Sequence, residues 1–417
     1  MRKIVLLMSV LLVGCSSKVN FGGFAPQDLK LSDVEVLKLS TDSLVTIHVP
    51  EKSNEETIDA SSIVDSVYAI PLETNKECLI GAVSDIRIHN DLIYVIDKRV
   101  SDAIFVFDMK GRFLNRIGKK GRGPGEYTKL SEVQVDKCNN EILISSPPLQ
   151  KLLRYNPKGE FLGYIDINVA YLEFSILNDG NIVLYAWNQK NKHLGELENR
   201  LFYIVNREGA ILKAGPMFKP IYPKVHMRTE NGCMSSLNQV SYSPILSDTI
   251  NSISSNSVKA QYALDFGKNS IHGKVPISCS TYQFGQKVRK NHLSYFLGSH
   301  LETNSYLCFT CESDGKLIHM LYHKKSASLI NCNRIQGDER HMFFFPFNYY
   351  SHDRFISAIS PKAILEIGQQ FKKADEAIFQ CFMKIFHRYG VRELSADNNP
   401  IIVFTKLKDD FFDTNHK

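Results

Sequence analysis

Apolar residues recur at every second position in short runs from residue 64 to 370, the signature of strands with one face in a core. Ile86–Ile88, Leu92–Asp97, Ala103–Phe107 and Phe113–Gly118 make one four-stranded unit, with turns at His89–Asp91, Lys98–Asp102 and Met109–Arg112. Val133–Val135, Glu141–Ile144, Leu152–Tyr155 and Phe161–Ile165 repeat the order. A third unit spans Glu173–Gly215 with an insertion at Asn188–Asn199, and further units fit residues 237–268, 294–334 and 342–369.

Three segments share one phrase: Phe107-Asp108-Met109-Lys110-Gly111-Arg112-Phe113, Tyr155-Asn156-Pro157-Lys158-Gly159-Glu160-Phe161 and Val205-Asn206-Arg207-Glu208-Gly209-Ala210-Ile211. The glycines stand 48 and then 50 residues apart. An Asx side chain caps each turn, and Gly supplies positive φ without steric cost. A hairpin recurring roughly every 40–50 residues predicts an all-β propeller of six four-stranded blades. The incoming strand near Val67–Leu72 would close the last unit, leaving no free sheet edge.

The ends depart from this rhythm. Ile364, Ile367, Phe371, Ala374, Ile378, Phe382 and Ile385 recur by three or four, predicting an amphipathic helix over Pro361–His387, interrupted near Gly368. It either covers one face of the ring or binds a partner. Asn399–Leu407 follows as a final strand that could pair back into the ring. Residues 16–62 hold only a short alternation at Val45, Ile47 and Val49, and are expected to be a tether with one pairing strand. The main body is then 63–417, with its helical insertion near 361–390.

Residues 1–15 have a basic start at Arg2 and Lys3, an apolar stretch Ile4–Val13 and then small residues, the layout of a secretory signal segment. The boundary Leu12-Val13-Gly14-Cys15 resembles the lipobox of bacterial lipoproteins. That resemblance implies cleavage before Cys15, acylation of its thiol and amino group, and a soluble body tethered to a membrane, several chains together anchoring stably. Ser16-Ser17-Lys18 lacks an acidic cluster that would mark surface exposure, so the expectation is an outer-membrane anchor facing the periplasm.

At 417 residues and 43% hydrophobic content the chain can bury a large core. The formal charge of +6 falls to +4 without Arg2 and Lys3, too little over this length to argue for nucleic acid. Eight cysteines follow Cys15 without a framework spacing. Cys308 and Cys311 are the one close pair, read as strand cysteines, a local disulfide or a metal site.

Gly121-Arg122-Gly123-Pro124-Gly125-Glu126-Tyr127, after a hairpin ending Ile117-Gly118, is similar to a signature of six-bladed propeller lipoproteins from anaerobic gut bacteria. Leu246-Ser247-Asp248-Thr249-Ile250 with Leu264-Asp265-Phe266-Gly267 resembles a second signature of that family, although Asn251 replaces an expected aromatic. The likeness covers Val64 to Leu407. It implies the propeller fold and little about activity, because the family, distantly similar to NHL-type propellers, is mostly of unknown function.

Two places are candidate binding sites. In the Gly-rich crossover, Arg122, Glu126 and Tyr127 could contact a ligand or brace adjacent blades; no helix start backs the loop as a phosphate cradle would need. Near the C-terminal third, His341 precedes an aromatic run, followed by Tyr349, His352 and Arg354. Aromatic rings with Arg, His and Asp suit a glycan or peptide. No GxSxG elbow, HExxH pair or recognisable carboxylate pair appears, and no metal or cofactor is implied. The expectation is a non-enzymatic binding module for a peptide, glycan or envelope protein. The alternative is an exported lyase or hydrolase at the channel mouth, which would gather two or more His, Asp or Glu side chains there.

Overall fold

The computed structural model describes residues 29–51, 57–227, 234–236, 239–336, 349–351, 353–374 and 394–411, with single helical positions between 376 and 387. Each repeated phrase is a tight hairpin. The Oδ1 atoms of Asp108, Asn156 and Asn206 each accept two backbone N–H bonds from two and four residues on, at 2.9–3.1 Å. Gly111, Gly159 and Gly209 donate their N–H to the Asx carbonyl and hold φ of 78°, 86° and 83°. The turn is thus fixed by side-chain hydrogen bonding and by the one residue type that tolerates this backbone.

Six four-stranded antiparallel sheets form a six-bladed β-propeller. Blade 1 is Asp85–His89, Leu92–Asp97, Ala103–Asp108 and Phe113–Ile117; blade 2 is Val133–Asp136, Glu141–Ser146, Lys151–Tyr155 and Phe161–Asp166. Blade 3 runs Glu173–Ile176, Ile182–Tyr185, Phe202–Val205 and Ile211–Ala214, and blade 4 Met234–Ser236, Val240–Tyr242, Thr249–Ser254 and Ser257–Asp265. Blade 5 is Ser294–Glu302, Tyr306–Ser313, Lys316–His323 and Ser328–Asn331. Neighbouring first strands lie side by side right around the ring.

A separate apolar core fills each of the six gaps between blades. Tyr94, Ile96, Ile104 and Val106 of blade 1 meet Ile142, Ile144, Leu153 and Tyr155 of blade 2, while Ile93, Val95, Phe105 and Phe107 turn to blade 6. Side chains alternate across a strand, so a blade covered on both faces needs apolar residues at consecutive positions. Middle strands such as Leu92–Asp97 are accordingly buried almost end to end. The four remaining gaps are filled in the same way.

Blade 6 closes the ring with chain from both termini. Its order is Tyr349–Ser351, Arg354–Ile359, Ile401–Leu407 and Val64–Pro71. The Ile401–Leu407 strand is therefore integral to the blade, between the incoming strand and Arg354–Ile359. The buried Asn399 secures the join: its Nδ2 donates to the Glu73 and Cys78 carbonyls at 2.6 and 2.7 Å, and its Oδ1 accepts from Ile80 N–H at 2.8 Å.

The described part of the stretch 16–62, residues 29–51 and 57–62, pairs as more than one strand. Glu35–Val36 adds in parallel to the outer strand of blade 3, and Leu39–Ser40 and Val45–His48 add to that of blade 4. Ile58–Asp59 then pairs with Ile335–Gln336 beyond blade 5. Leu37 and Ile47 are buried beneath this belt. It covers outer edges that would otherwise present unpaired backbone groups.

The C-terminal helix runs Pro361–Ala374 without a break at Gly368, and single described positions to 387 are also helical. Its Ile364 packs on Ile401 and Val403, so it covers the side of blade 6. A second helix, Thr281–Lys290, lies between blades 4 and 5 and is opened by a Ser280–Gln283 capping box. Its Phe284 and Val288 pack with Tyr222 and Tyr295. Cys308 belongs to the core between blades 5 and 6, and Cys311 to that between blades 4 and 5. Opposite faces of one sheet rule out both a local disulfide and a shared metal site for this pair.

Candidate functional site

The Gly-rich crossover joins blades 1 and 2 and is used up by internal contacts. Lys119–Lys120 pairs with Glu126–Tyr127, and Glu126 Oε2 accepts from Gly123 N–H at 2.8 Å. Tyr127 is buried, and its hydroxyl donates to the Asp102 carbonyl at 3.0 Å. Lys120 pairs with the Asp102 carboxylate at 2.9 Å, which also accepts from Leu130 N–H. The Tyr155 hydroxyl of blade 2 donates to the Gly125 carbonyl. Glu126 and Tyr127 brace the blades, and Arg122 alone of the three is exposed.

Tyr349 lies at the same end of the ring, on the first strand of blade 6, near a buried charge cluster. Arg87 Nη2 lies 2.8 Å from Asp85 and 4.0 Å from Glu132, and Lys98 lies 2.8 Å from Glu132. Burial pushes the Asp85 carboxyl up against the pull of Arg87 and Lys98. Burial, then Asp85, pushes the Tyr349 phenol up as well. Two acids are balanced here by two bases, a set that holds three blades in register.

Arg354 belongs to the opposite end, where the turns between first and second strands gather. There a groove of about 630 Å³ opens at the seam between blade 6 and blade 1. Its apolar part is Ile88, Met109, Tyr68 and Phe404. Tyr68 and Phe404 are cross-strand neighbours stacked at 4.5 Å, and the Arg354 guanidinium sits 5.1 Å from the centre of the Tyr68 ring. His89, Asn90 and Asp91 of blade 1, Lys137 of blade 2, and Ser351 and Asp353 of blade 6 complete it. Asp353 is shared by Arg354 at 3.9 Å and Lys406 at 3.4 Å.

The two candidate places stay apart, and the second is itself divided between the ends of the ring. Arg122, Glu126 and Tyr127 lie on one end of the ring, Arg354 on the other, and Tyr349 borders the channel charges. His341, His352 and Cys15 lie outside the described residues. Lys137, Tyr68 and Met109 join the groove without a sequence signal of their own. They come from a turn, a closing strand and a repeat hairpin that only ring closure brings together.

One histidine carries a hydroxyl pair. His300 Nε2 and Nδ1 lie 2.7 and 3.1 Å from the hydroxyls of Ser241 and Ser243. All three side chains are buried between blades 4 and 5, closed to a substrate, and burial holds the imidazole down at about 4. Among the described residues no three His, Cys, Asp or Glu side chains converge as a metal set. No described helix is long and apolar enough to cross a membrane.

One solved structure agrees with this architecture. A Bacteroides fragilis protein whose name marks it as expected to be exported superposes with a TM-score of 0.64 at 18% identity, over 88% of this chain and all of that one. A member of the DUF4221 family from Bacteroides vulgatus gives 0.48 at 12% identity, over 86% of this chain and 99% of that one. No protein with a curated description matches. The model of a domain of unknown function, DUF4934, matches residues 44–406, and the chain belongs to that family.

Proposed function

We propose that this chain is an exported, lipid-anchored binding module that holds a peptide, glycan or envelope protein in the groove at the seam of blades 6 and 1. The observation that carries the reading is the groove itself. An apolar floor, turn amides and hydroxyls, and cations with incomplete ion pairing converge on about 630 Å³, within the range of small-ligand sites. Rings commonly present such sites where loops of several blades meet. The basic and apolar start of the chain, the Leu12–Cys15 resemblance and the name of the Bacteroides fragilis neighbour support export. Anchoring by acylated Cys15 would leave the ring free in the periplasm.

The test is binding of the full chain to peptide and glycan arrays beside a Met109→Trp variant, which fills the groove floor. Retention of a ligand class by the native chain, and its loss in the variant at unchanged thermal stability, is the expected result. Equal retention by both proteins would remove the groove from the function. Turnover of a small metabolite with blank arrays would favour the lyase or hydrolase reading.

A further inference from the structure

Most cations around the groove have a carboxylate partner. Arg87 has Asp85, Arg112 has Asp108, and Arg354 and Lys406 share Asp353. Lys137, in the turn between the first two strands of blade 2, is the exception: no acid pairs with it among the described residues, although it lines the groove. Burial first, and then the nearby Arg87 guanidinium, hold its amine below the usual lysine value. Arg87 keeps one buried donor, Nε, without a hydrogen-bond partner. Arg87 is already paired with Asp85, so the charge left open at the groove is that of Lys137, which an anion would pair.

The surroundings narrow the anion. Asp91 and Asp353 stand at the same groove, which weighs against a doubly charged phosphate and favours a single carboxylate. The aromatic faces narrow its carrier. Tyr68 already stacks on Phe404 and has the Arg354 guanidinium 5.1 Å from its ring centre, so this ring is engaged within the protein rather than laid open for a sugar. The half-buried Ile88 and Met109 instead form an adaptable apolar floor suited to an aliphatic side chain.

We infer that Lys137 fixes a carboxylate of a peptide ligand whose neighbouring apolar side chain lies over Ile88 and Met109. This rests on the groove being the binding site. The geometry has the form of helix-free peptide recognition, one charge fixing orientation and one pocket selecting a side chain.

A positional-scanning array of acetylated pentapeptides, probed with the full chain, tests it. Binders should carry Asp or Glu beside Leu, Ile or Met, preferred roughly tenfold over the Asn or Gln analogues, as one charge-assisted contact would give. Lys137→Met should erase that preference and Lys137→Arg should keep it, with both variants melting like the native chain because position 137 lies in a turn outside the apolar cores between blades. An acid preference that is absent, or that survives Lys137→Met, overturns the inference. So does Lys137-dependent capture of a uronate trisaccharide with no peptide bound. Binding that Met109→Trp leaves intact would instead overturn the groove, which keeps the two failures apart.

Discussion

Gly159 stands directly against Arg116: a Cβ on this glycine would lie 2.5 Å from the Arg116 carbonyl oxygen. Gly159 is in the last hairpin of blade 2, and Arg116 is on the outer strand of blade 1. Gly111 meets the Pro71 carbonyl of blade 6, and Gly209 the Asp166 carbonyl of blade 2, closer still. The repeated glycine therefore serves two ends, a positive φ and a seat on the preceding blade.

Gly159→Ala should cost about 2 kcal/mol or more, combining backbone strain with displacement of a neighbouring strand. Gly273→Ala is the control, since φ is +76° there but nothing lies within 4 Å of its Cβ. It should cost about 1 kcal/mol, the left-handed backbone contribution alone. Denaturant midpoints at constant slope measure both, and equal losses would show that docking on Arg116 contributes nothing.

The same pair explains what the sequence makes legible. The Asp108, Asn156 and Asn206 phrases are local signals, and they locate blades 1 to 3 almost to the residue. Helix Thr281–Lys290 escapes notice because Gly285 interrupts a weak pattern, though Ser280 and Gln283 write its capping box. The belt at Glu35–Val36 and Leu39–Ser40 has no sustained alternation, because two-residue parallel strands need none. Site assembly is hardest to read. Arg354 and Lys137 are 217 positions apart in the chain and share a groove only because the ring closes. Glu126 and Tyr127 look like ligand contacts in a glycine-rich phrase, yet the hydrogen bonds they make are internal, to Gly123 N–H and to the Asp102 carbonyl of blade 1.

His300 gives the fold a pH dependence. Burial holds its folded pKa at about 4, against an ordinary value of 6.5, with nearby Glu302 opposing. The unfolded chain thus binds a proton that the folded chain refuses, and stability falls as pH drops from about 6.5 towards 4. The loss is about 2–3 kcal/mol from this one residue. His319, also held at about 4 by burial, acts in the same sense. Asp85 acts oppositely: its raised carboxyl contributes stability that is lost as pH rises through its folded value. His300→Gln isolates the imidazole. The variant should be less stable at pH 7.5 but lose less on acidification to pH 5; an unchanged pH slope would contradict the assignment.

The belt and the anchor can be separated by two substitutions with opposite readouts. Ile47 is 2% exposed in the core between blades 4 and 5, where the Val45–His48 strand joins blade 4. Ile47→Ala should cost about 2–4 kcal/mol, the usual range for truncating a buried aliphatic, and leave membrane association unchanged. Cys15→Ala should do the reverse, releasing the body from the membrane fraction with its melting temperature intact. Leu29, where the described chain begins, is 14 residues beyond Cys15, a span of at most about 50 Å when fully extended. An acylated Cys15 would therefore hold Leu29, which packs against the core between blades 2 and 3, within that distance of the bilayer. Flotation of both variants with vesicles, and the mass of the N-terminal peptide, decide the matter. A Cys15→Ala protein that misfolds, or an N-terminal peptide without fatty chains, would defeat the anchor and leave the belt as purely structural.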